Sequence, residues 1–134
     1  MNFEIVTPTG VVFRSQDCDS VVLPTSTGEI EVLPMHVPLT AETIPGEVLV
    51  KKASQTERLA VDKGYVRVIA DSVSMLVEAA INEKSIDLKS VENAEERARE
   101  ALEAARKQHQ IDPAELERLE AIARFAIAQK LVKK

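Results

Sequence analysis

The N-terminal part of the chain, from Asn2 to about Ala80, carries its apolar residues in short runs rich in β-branched side chains. The runs read "FEIV", "VVF", "SVVLP", "EIEVLP", "EVLVKK", "RLAV", "YVRVI" and "SVSMLVEA". Turn-forming residues separate them, as in "PTG", "STG", "PG", "DKG" and "DS". Runs of this kind are typical of strands. Their short connections predict a meander that folds over into a β-sandwich, a flattened barrel of about eight to ten strands.

The glycines of this region are regularly spaced. Gly10, Gly28, Gly46 and Gly64 are the four glycines of the chain, and they follow one another at intervals of eighteen residues. The residues after each glycine do not resemble one another, so the spacing does not indicate a duplicated module. We interpret it as a regular succession of hairpins.

After "INEKS" the apolar period changes from strand-like to helical. Small and apolar residues now recur at three- and four-residue spacing, at Val91, Ala94, Ala98, Ala101, Leu102 and Ala105. The pattern predicts a helix that begins near Asp87, a plausible N-cap, and ends around "KQHQI". "DPAE" then predicts a second helix, with Asp112 as N-cap and Pro113 at the first helical position. Its predicted inner stripe is Leu116, Leu119, Ala123, Ala126 and Ile127.

The short connection between these helices predicts a C-terminal antiparallel two-helix hairpin over residues 85–134, after a β-sandwich domain over residues 1–84. The seam of the hairpin is mainly alanine, which buries little area per residue at roughly 25 cal/mol per Å². Ion pairs at i,i+4, such as Glu95 with Arg99 and Glu120 with Arg124, add only a few tenths of a kcal/mol each. We therefore expect the hairpin to be held weakly against the sandwich.

Composition excludes several classes of function. Aromatic residues are 3% of the 134 residues, without a tryptophan, so base stacking is disfavoured. The formal net charge is −5, which argues against a nucleic-acid partner. Basic residues nevertheless concentrate at the C-terminal end, where the final fourteen residues contain Arg124, Lys130, Lys133 and Lys134 and no acidic side chain.

Cys18 is the one cysteine, which excludes an internal disulfide and suits a reducing compartment. The sequence "MNFEIVTPTG" does not resemble a signal peptide, and no stretch of some eighteen apolar residues predicts a transmembrane segment. We expect any association with a membrane to come through a partner.

Catalytic chemistry has little support in the sequence. Neither GxxxxGK[ST] nor GxGxxG occurs, and two histidines, His36 and His109, do not make a zinc site of ordinary spacing. Cys18 and His36 could form a nucleophile and base, but nothing marks a third member of such a site. For His36, which lies between Pro34 and Pro38, a hydrogen-bonded structural role and an interface contact remain equally open.

The order of these features resembles the epsilon subunit of bacterial rotary, F-type ATP synthases. The resemblance rests on "IVTPTGVVF", on "VVLPTSTGEIEVLPMHVPLT" where the family pattern reads roughly GELGILPGHxPL, on "LAVDKGYVRV", on "IDL" at the start of the hairpin, and on "AIAQ". Glu31 and Met35 stand where this pattern has glycines, and Lys63 stands where another glycine is usual.

The resemblance implies a noncatalytic subunit of the central stalk. Its sandwich would pack on the gamma subunit and touch the c-ring, and so couple proton-driven rotation to the catalytic alpha and beta subunits. The complex would hold it at the cytoplasmic face of the bacterial inner membrane. The expected gamma contacts are Val32, Leu33, Met35, His36, Val37 and Leu39. The hairpin would lie folded or extend to restrain ATP hydrolysis, and when it is extended beta-subunit contacts are expected from Arg118, Arg124, Lys130, Lys133 and Lys134.

The resemblance also includes a nucleotide motif of the form I/L-D-x-x-R-A. Ile86 and Asp87 match it and Arg97 matches a further arginine of that site, whereas Ser90 and Val91 replace the Arg and Ala. We therefore expect no cofactor and weak or no ATP binding. The rival hypothesis is a free-standing β-sandwich that senses a nucleotide or another small molecule, and an enzyme ranks third.

Overall fold

The computed structural model describes residues 1–107 and 113–133 and contains ten strands followed by two helices. The strands are β1 (Asn2–Thr7), β2 (Gly10–Ser15), β3 (Ser20–Thr25), β4 (Gly28–Val32), β5 (Leu39–Thr43), β6 (Gly46–Lys52), β7 (Gln55–Val61), β8 (Gly64–Ile69), β9 (Ser72–Val77) and β10 (Ala80–Asn82). A 3₁₀ helix (Glu83–Ser85) leads to α1 (Leu88–Lys107) and α2 (Pro113–Lys133).

The strands form two layers that are joined along one side. The first layer contains β4, β3, β6, β7 and β10, and the second contains β5, β8, β9, β1 and β2. A single pair, Thr25 with Thr43, joins β3 to β5 and so connects the layers. The predicted sandwich of eight to ten strands, a flattened barrel, is therefore confirmed.

The predicted meander is wrong, because β3 pairs with β6, β5 with β8 and β7 with β10. The departure from sequence order is largest at β1. This strand pairs antiparallel with β2 but parallel with β9, over Asn2–Val6 against Ser72–Leu76. The N-terminal strand is thus inserted beside a strand that lies some seventy residues later in the chain. Local turn signals report only on neighbours in sequence, so they do not reveal such a pairing.

The space between the layers is filled by aliphatic and a few larger side chains. Phe3, Ile5, Leu23, Leu59 and Met75 are the largest fully buried ones. Valines from six strands, together with Met1 and Cys18, complete this core, and every buried member of it comes from the first 77 residues. Within residues 1–107 and 113–133, the sandwich core therefore contains no buried side chain of the helical hairpin.

Each of the four glycines begins an even-numbered strand, but only two begin the second strand of a hairpin. Gly10 and Gly28 open β2 and β4, which pair with the preceding strand, and both have φ near +125° (123° and 126°). Gly64 serves a different purpose, because a Cβ there would collide with the carbonyl oxygen of Leu76. The interpretation as successive hairpins is correct at Gly10 and Gly28 and wrong at Gly46 and Gly64, where the chain passes to a strand that does not pair with the preceding one.

The predicted start of α1 is confirmed in atomic detail. The Asp87 carboxylate accepts the Lys89 backbone N–H at 3.1 Å and the Ser90 hydroxyl at 3.0 Å, and its carbonyl accepts the Val91 N–H at 3.0 Å. Asp87 is thus the N-cap. α2 begins at Pro113, as predicted, while Asp112, its expected N-cap, lies outside the described residues. His109 lies outside them as well.

α2 packs on β6 and β7 on one side and on α1 on the other. This two-sided contact explains why the predicted inner stripe of α2 is partly wrong. Ala126 is buried as expected, but Ile127 is about half exposed, and Ala128 and Val132 are buried instead. A helix between two neighbours does not show a single apolar stripe. Neither helix, over its described residues, has the length and apolar character needed to span a membrane.

Candidate functional site

The loop between β4 and β5 presents a row of apolar side chains to solvent. Leu33 is 55% exposed, Met35 92% and Val37 71%. Adjacent exposed apolar residues of this kind are a common mark of an interaction surface. Val32, which we predicted to be part of this surface, is instead completely buried in the sandwich core, because its position on β4 points inward. Leu39 is partly buried and packs against the same core.

The backbone of this loop is held in an uncommon conformation. Met35 has φ of 67°, in the left-handed region that favours glycine. The family pattern that this loop resembles has a glycine at this position. A fully exposed methionine therefore occupies a position where its backbone conformation costs roughly 1–2 kcal/mol. Uncommon conformations of this type occur often at functional sites.

His36 combines a structural contact with an exposed position. Its backbone N–H donates to the Leu33 carbonyl at 3.2 Å, which closes a tight turn. Its side-chain Nδ1 lies 2.6 Å from the Val37 carbonyl, so this nitrogen is the one that carries the proton. A structural role and an interface contact are therefore compatible for His36, because its ring is hydrogen-bonded within the loop and is still partly exposed.

A shallow groove of about 600 Å³ separates the loop from the β8–β9 turn. Its walls include Met35, His36 and Pro38 on one side and Ala70 and Asp71 on the other. Ile69, just before this turn, is also about half exposed. Sequence analysis missed Ile69, since only the pairing of β5 with β8 brings it to the same end of the sandwich.

A second apolar surface lies at the other end of β8. Tyr65 pairs with Leu76 across β8 and β9, and both side chains are more than half exposed. Together with Val6 they line a groove of about 680 Å³. The charged residues Glu42, Lys63 and Glu78 also line this groove. Val6, Tyr65 and Leu76 each lie in a different strand, so their proximity could not be predicted from the sequence alone.

Cys18 is not placed to act as a nucleophile. It is buried in the sandwich core, and its Sγ donates to the Met1 carbonyl at 3.1 Å. Burial, with a smaller contribution from Asp19, raises the pKa of the Cys18 thiol above its usual value, so the thiol stays protonated at neutral pH. Among the described residues, no group of three or more His, Cys, Asp or Glu is arranged to hold a metal ion.

The residues of the nucleotide motif have structural partners. Ile86 is buried in a small cluster under the hairpin, and both carboxylate oxygens of Asp87 take part in the helix cap. Ser90, which replaces the arginine of the motif, donates its hydroxyl to Asp87. Arg97 is exposed on α1, on a different face from the buried Ala98.

The basic residues of α2 differ in their surroundings. Arg118 and Arg124 are exposed, and Arg124 pairs with Glu120 of the same helix at 3.2 Å. Lys130 and Lys133 instead make contacts outside α2. Lys130 reaches Glu95 of α1 at 2.9 Å, and Lys133 donates to the Glu83 carbonyl at 3.1 Å. Lys134 lies outside the described residues.

The β7–β8 turn meets the N-terminal half of α2. Lys63 lies 3.8 Å from Glu117, and Asp62 accepts the Lys63 backbone N–H at 2.7 Å. Burial raises the pKa of the Asp62 carboxyl, and the nearby Glu78 adds to this effect, whereas Lys63 and Arg124 oppose it. The turn thus joins the sandwich and the hairpin through charged groups.

Comparison with known proteins identifies the class of protein to which the sandwich belongs. Residues 1–83 match the β-sandwich domain of the delta/epsilon chains of ATP synthase. Proteins called ATP synthase epsilon chain extend the match into the helices. That of Halalkalibacterium halodurans is 40% identical over 112 residues, which are 84% of this chain and 83% of the relative. That of Staphylococcus aureus is 39% identical over 103 residues, 77% of each chain. The chain belongs to the ATP synthase epsilon chain family.

Solved structures with low sequence identity have the same fold. A chain of the Euglena gracilis mitochondrial ATP synthase superposes with a TM-score of 0.76 at 17% identity, over 96% of this chain and 78% of that one. A chain of the Tetrahymena thermophila mitochondrial ATP synthase, from a structure of its central stalk and c-ring, gives 0.63 at 10% identity, over 100% and 96%. The likeness covers the sandwich and the hairpin together.

Proposed function

We propose that the chain is a noncatalytic subunit of the central stalk of a proton-translocating ATP synthase. In this role it couples rotation of the c-ring to ATP synthesis through the gamma subunit. Membership of the epsilon chain family supports the proposal, as does a fold shared with a chain from a central stalk and c-ring structure. The complex holds the subunit at the cytoplasmic face of the bacterial inner membrane.

The single observation that carries the proposal is the exposed apolar loop on a rigid sandwich. Leu33, Met35 and Val37 offer exposed apolar area, and the partly exposed His36 ring is held by its contact with the Val37 carbonyl. Apolar side chains on a preordered backbone suit the buried centre of an interface, since little conformational freedom is lost on binding. The loop therefore docks on gamma, with Val32 and Leu39 supporting it from the core.

The hairpin acts as a brake on ATP hydrolysis. The hairpin leaves the sandwich and extends towards the alpha and beta subunits. Its basic residues then contact acidic groups of the beta subunit: Arg118, Arg124, Lys130, Lys133 and Lys134. Exposed ion pairs contribute roughly 0.2 to 1 kcal/mol each, so several together give a contact that forms and breaks readily. The small contact between hairpin and sandwich supports such a movement.

ATP binding to this subunit is weak or absent. The serine at position 90 lacks the bidentate, charged donor that an arginine offers to phosphate. Asp87 is already engaged in the cap of α1, and Ile86 is buried. Calorimetry with ATP on the isolated chain tests this point, and micromolar binding that survives Arg97→Ala contradicts it.

The docking loop is tested by His36→Asp. A carboxylate cannot donate to the Val37 carbonyl, and burying its charge on gamma is unfavourable. We expect the affinity for gamma to fall by at least about tenfold, which is about 1.4 kcal/mol. Ser26→Asp is the matched control, because it adds the same charge to the exposed β3–β4 turn at the opposite end of β4.

Calorimetry measures the affinity of each variant for gamma and so tests whether the β4–β5 loop is the docking site. An unchanged affinity of His36→Asp contradicts the loop assignment.

Purification of the wild-type subunit from cells separates the stalk role from a free-standing sensor. A stalk subunit is recovered with a gamma-like partner, whereas a sensor is recovered alone.

A further inference from the structure

Lys130 makes the one described ion pair that joins the two helices of the hairpin. Its Nζ lies 2.9 Å from the Glu95 carboxylate of α1, and both side chains are only partly exposed. The distance is that of a charge-assisted hydrogen bond. Since Glu95 lies in the first half of α1 and Lys130 near the end of α2, the pair exists only when the helices are folded back on each other.

The other described ion pairs within the helices do not depend on the folded hairpin. Glu120 and Arg124 are both on α2, and Glu96 and Arg99 are both on α1. Each of these pairs moves as a unit with its own helix. A contact that is equally present in two states does not shift the balance between them, so these pairs favour neither the folded nor the extended hairpin.

We propose that Glu95 is a latch that keeps Lys130 in the folded hairpin and away from the beta subunit. This inference rests on the proposed function, because it assumes that Lys130 contributes to the brake. The folded state and the brake then compete for the same ammonium group. Loss of the Glu95 charge weakens the folded state and leaves the brake contacts of α2 intact, so it shifts the balance towards inhibition.

The surroundings of Lys130 support this role. Its hydrogen bond with Glu95 and the charge of Glu95 raise the pKa of the Lys130 ammonium, with a smaller contribution from Glu92. The ammonium therefore stays charged at neutral pH, and it is attracted to α1 by two carboxylates. Lys133 adds a second contact to the same end of the hairpin through the Glu83 carbonyl.

Hydrogen exchange on the full-length isolated chain tests the latch without any partner. We expect Glu95→Gln to speed amide exchange in the last turns of α2 by about two- to fivefold, as the loss of a partly exposed pair implies. Glu96→Gln is the matched control, since it removes the same charge from the same helix and breaks only a pair within α1. Equal exchange rates in the two variants overturn the proposal.

ATP hydrolysis by the reconstituted complex tests the competition itself. Glu95→Gln is expected to lower the hydrolysis rate by about two- to fivefold relative to Glu96→Gln. Lys130→Gln is expected to loosen the hairpin to the same extent without lowering the rate, because it removes the latch and a brake contact together. Raised salt is a poor substitute for these variants, since it weakens both contacts.

A deletion of residues 85–134 separates failure of the latch from failure of the brake. If the deletion raises hydrolysis but Glu95→Gln behaves as Glu96→Gln, the brake stands and the latch is wrong. If the deletion leaves hydrolysis unchanged, the brake itself is wrong and the latch has nothing to regulate.

Discussion

Leu59 and Ala60 are neighbours on β7, but their side chains lie in different interfaces. Leu59 points into the sandwich and belongs to the core that contains large side chains such as Phe3 and Met75. Ala60 points outward into the small cluster under the hairpin, with Val132 as one of its members. Both residues are fully buried, so the difference lies in what surrounds them and not in their exposure.

From this contrast we expect two levels of stability within one short chain. Sixteen buried residues form the sandwich core, whereas the cluster under the hairpin has five: Ala60, Ile86, Val91, Ala126 and Val132. Free energy of burial grows with apolar area, so the second contact contributes much less. An element with few buried contacts opens at a lower free energy than the rest of the molecule. The hairpin is that element.

The largest expected effect is on the sandwich side of β7. Leu59→Ala removes a fully buried side chain and leaves a cavity, which is expected to lower the free energy of unfolding by about 2–5 kcal/mol. Urea unfolding monitored by circular dichroism measures the change. A loss below about 1 kcal/mol would mean that the sandwich core is not the main source of stability.

The adjacent position is expected to affect the hairpin alone. Ala60→Leu inserts a larger side chain where α2 packs on β7, and overpacking of this kind costs about 1–3 kcal/mol. We expect faster amide exchange throughout α2 and little change in exchange of the core strands. If the strands of the sandwich lose protection to the same degree as α2, the two interfaces are not independent.

A smaller effect is expected in the docking loop. Met35→Gly relieves the left-handed backbone, which is expected to stabilise the chain by up to about 1 kcal/mol after the greater flexibility of glycine in the unfolded state is subtracted. Met35→Ala keeps the backbone strain and removes the side chain. Both variants are expected to bind gamma more weakly. If only the glycine variant loses affinity, backbone conformation matters there and the methionine side chain does not.

The smallest effect concerns the charged turn beneath α2. The pKa of Asp62 is raised from 3.8, so folding favours its protonated form, and this stabilisation is present below pH 3.8 and lost as pH rises through the raised pKa. Asp62→Asn, which can still accept the Lys63 N–H, is expected to be slightly more stable than wild type at pH 7. Urea unfolding at several pH values should show that the stability advantage of Asp62→Asn over wild type shrinks towards pH 3.8. An advantage that is constant with pH contradicts this prediction.

Features encoded in neighbouring residues were predicted well from the sequence. The strands, the Asp87 cap and the start of α2 at Pro113 depend on turn chemistry and on local hydrogen bonds. In each of these cases the physical cause acts within a few residues. Leu33, Met35 and Val37 were chosen through the family resemblance, and all three are exposed.

Features that depend on distant contacts were missed. The parallel pairing of β1 with β9 and the meeting of Tyr65 with Leu76 require knowledge of the sheet order. Glu95 was expected to pair with Arg99 of its own helix and instead binds Lys130. Val32 was assigned to the docking surface, because the sequence did not show that the inward alternation of β4 still included it.

The central claim, that a stable sandwich carries a detachable brake, is tested most directly by removing the hairpin after Lys84. All residues of the sandwich core are retained in this truncated subunit. We expect complexes that contain it to assemble with the same amount of gamma as the wild type and to hydrolyse ATP faster. Equal hydrolysis rates with and without the hairpin, in complexes of equal composition, would contradict the account.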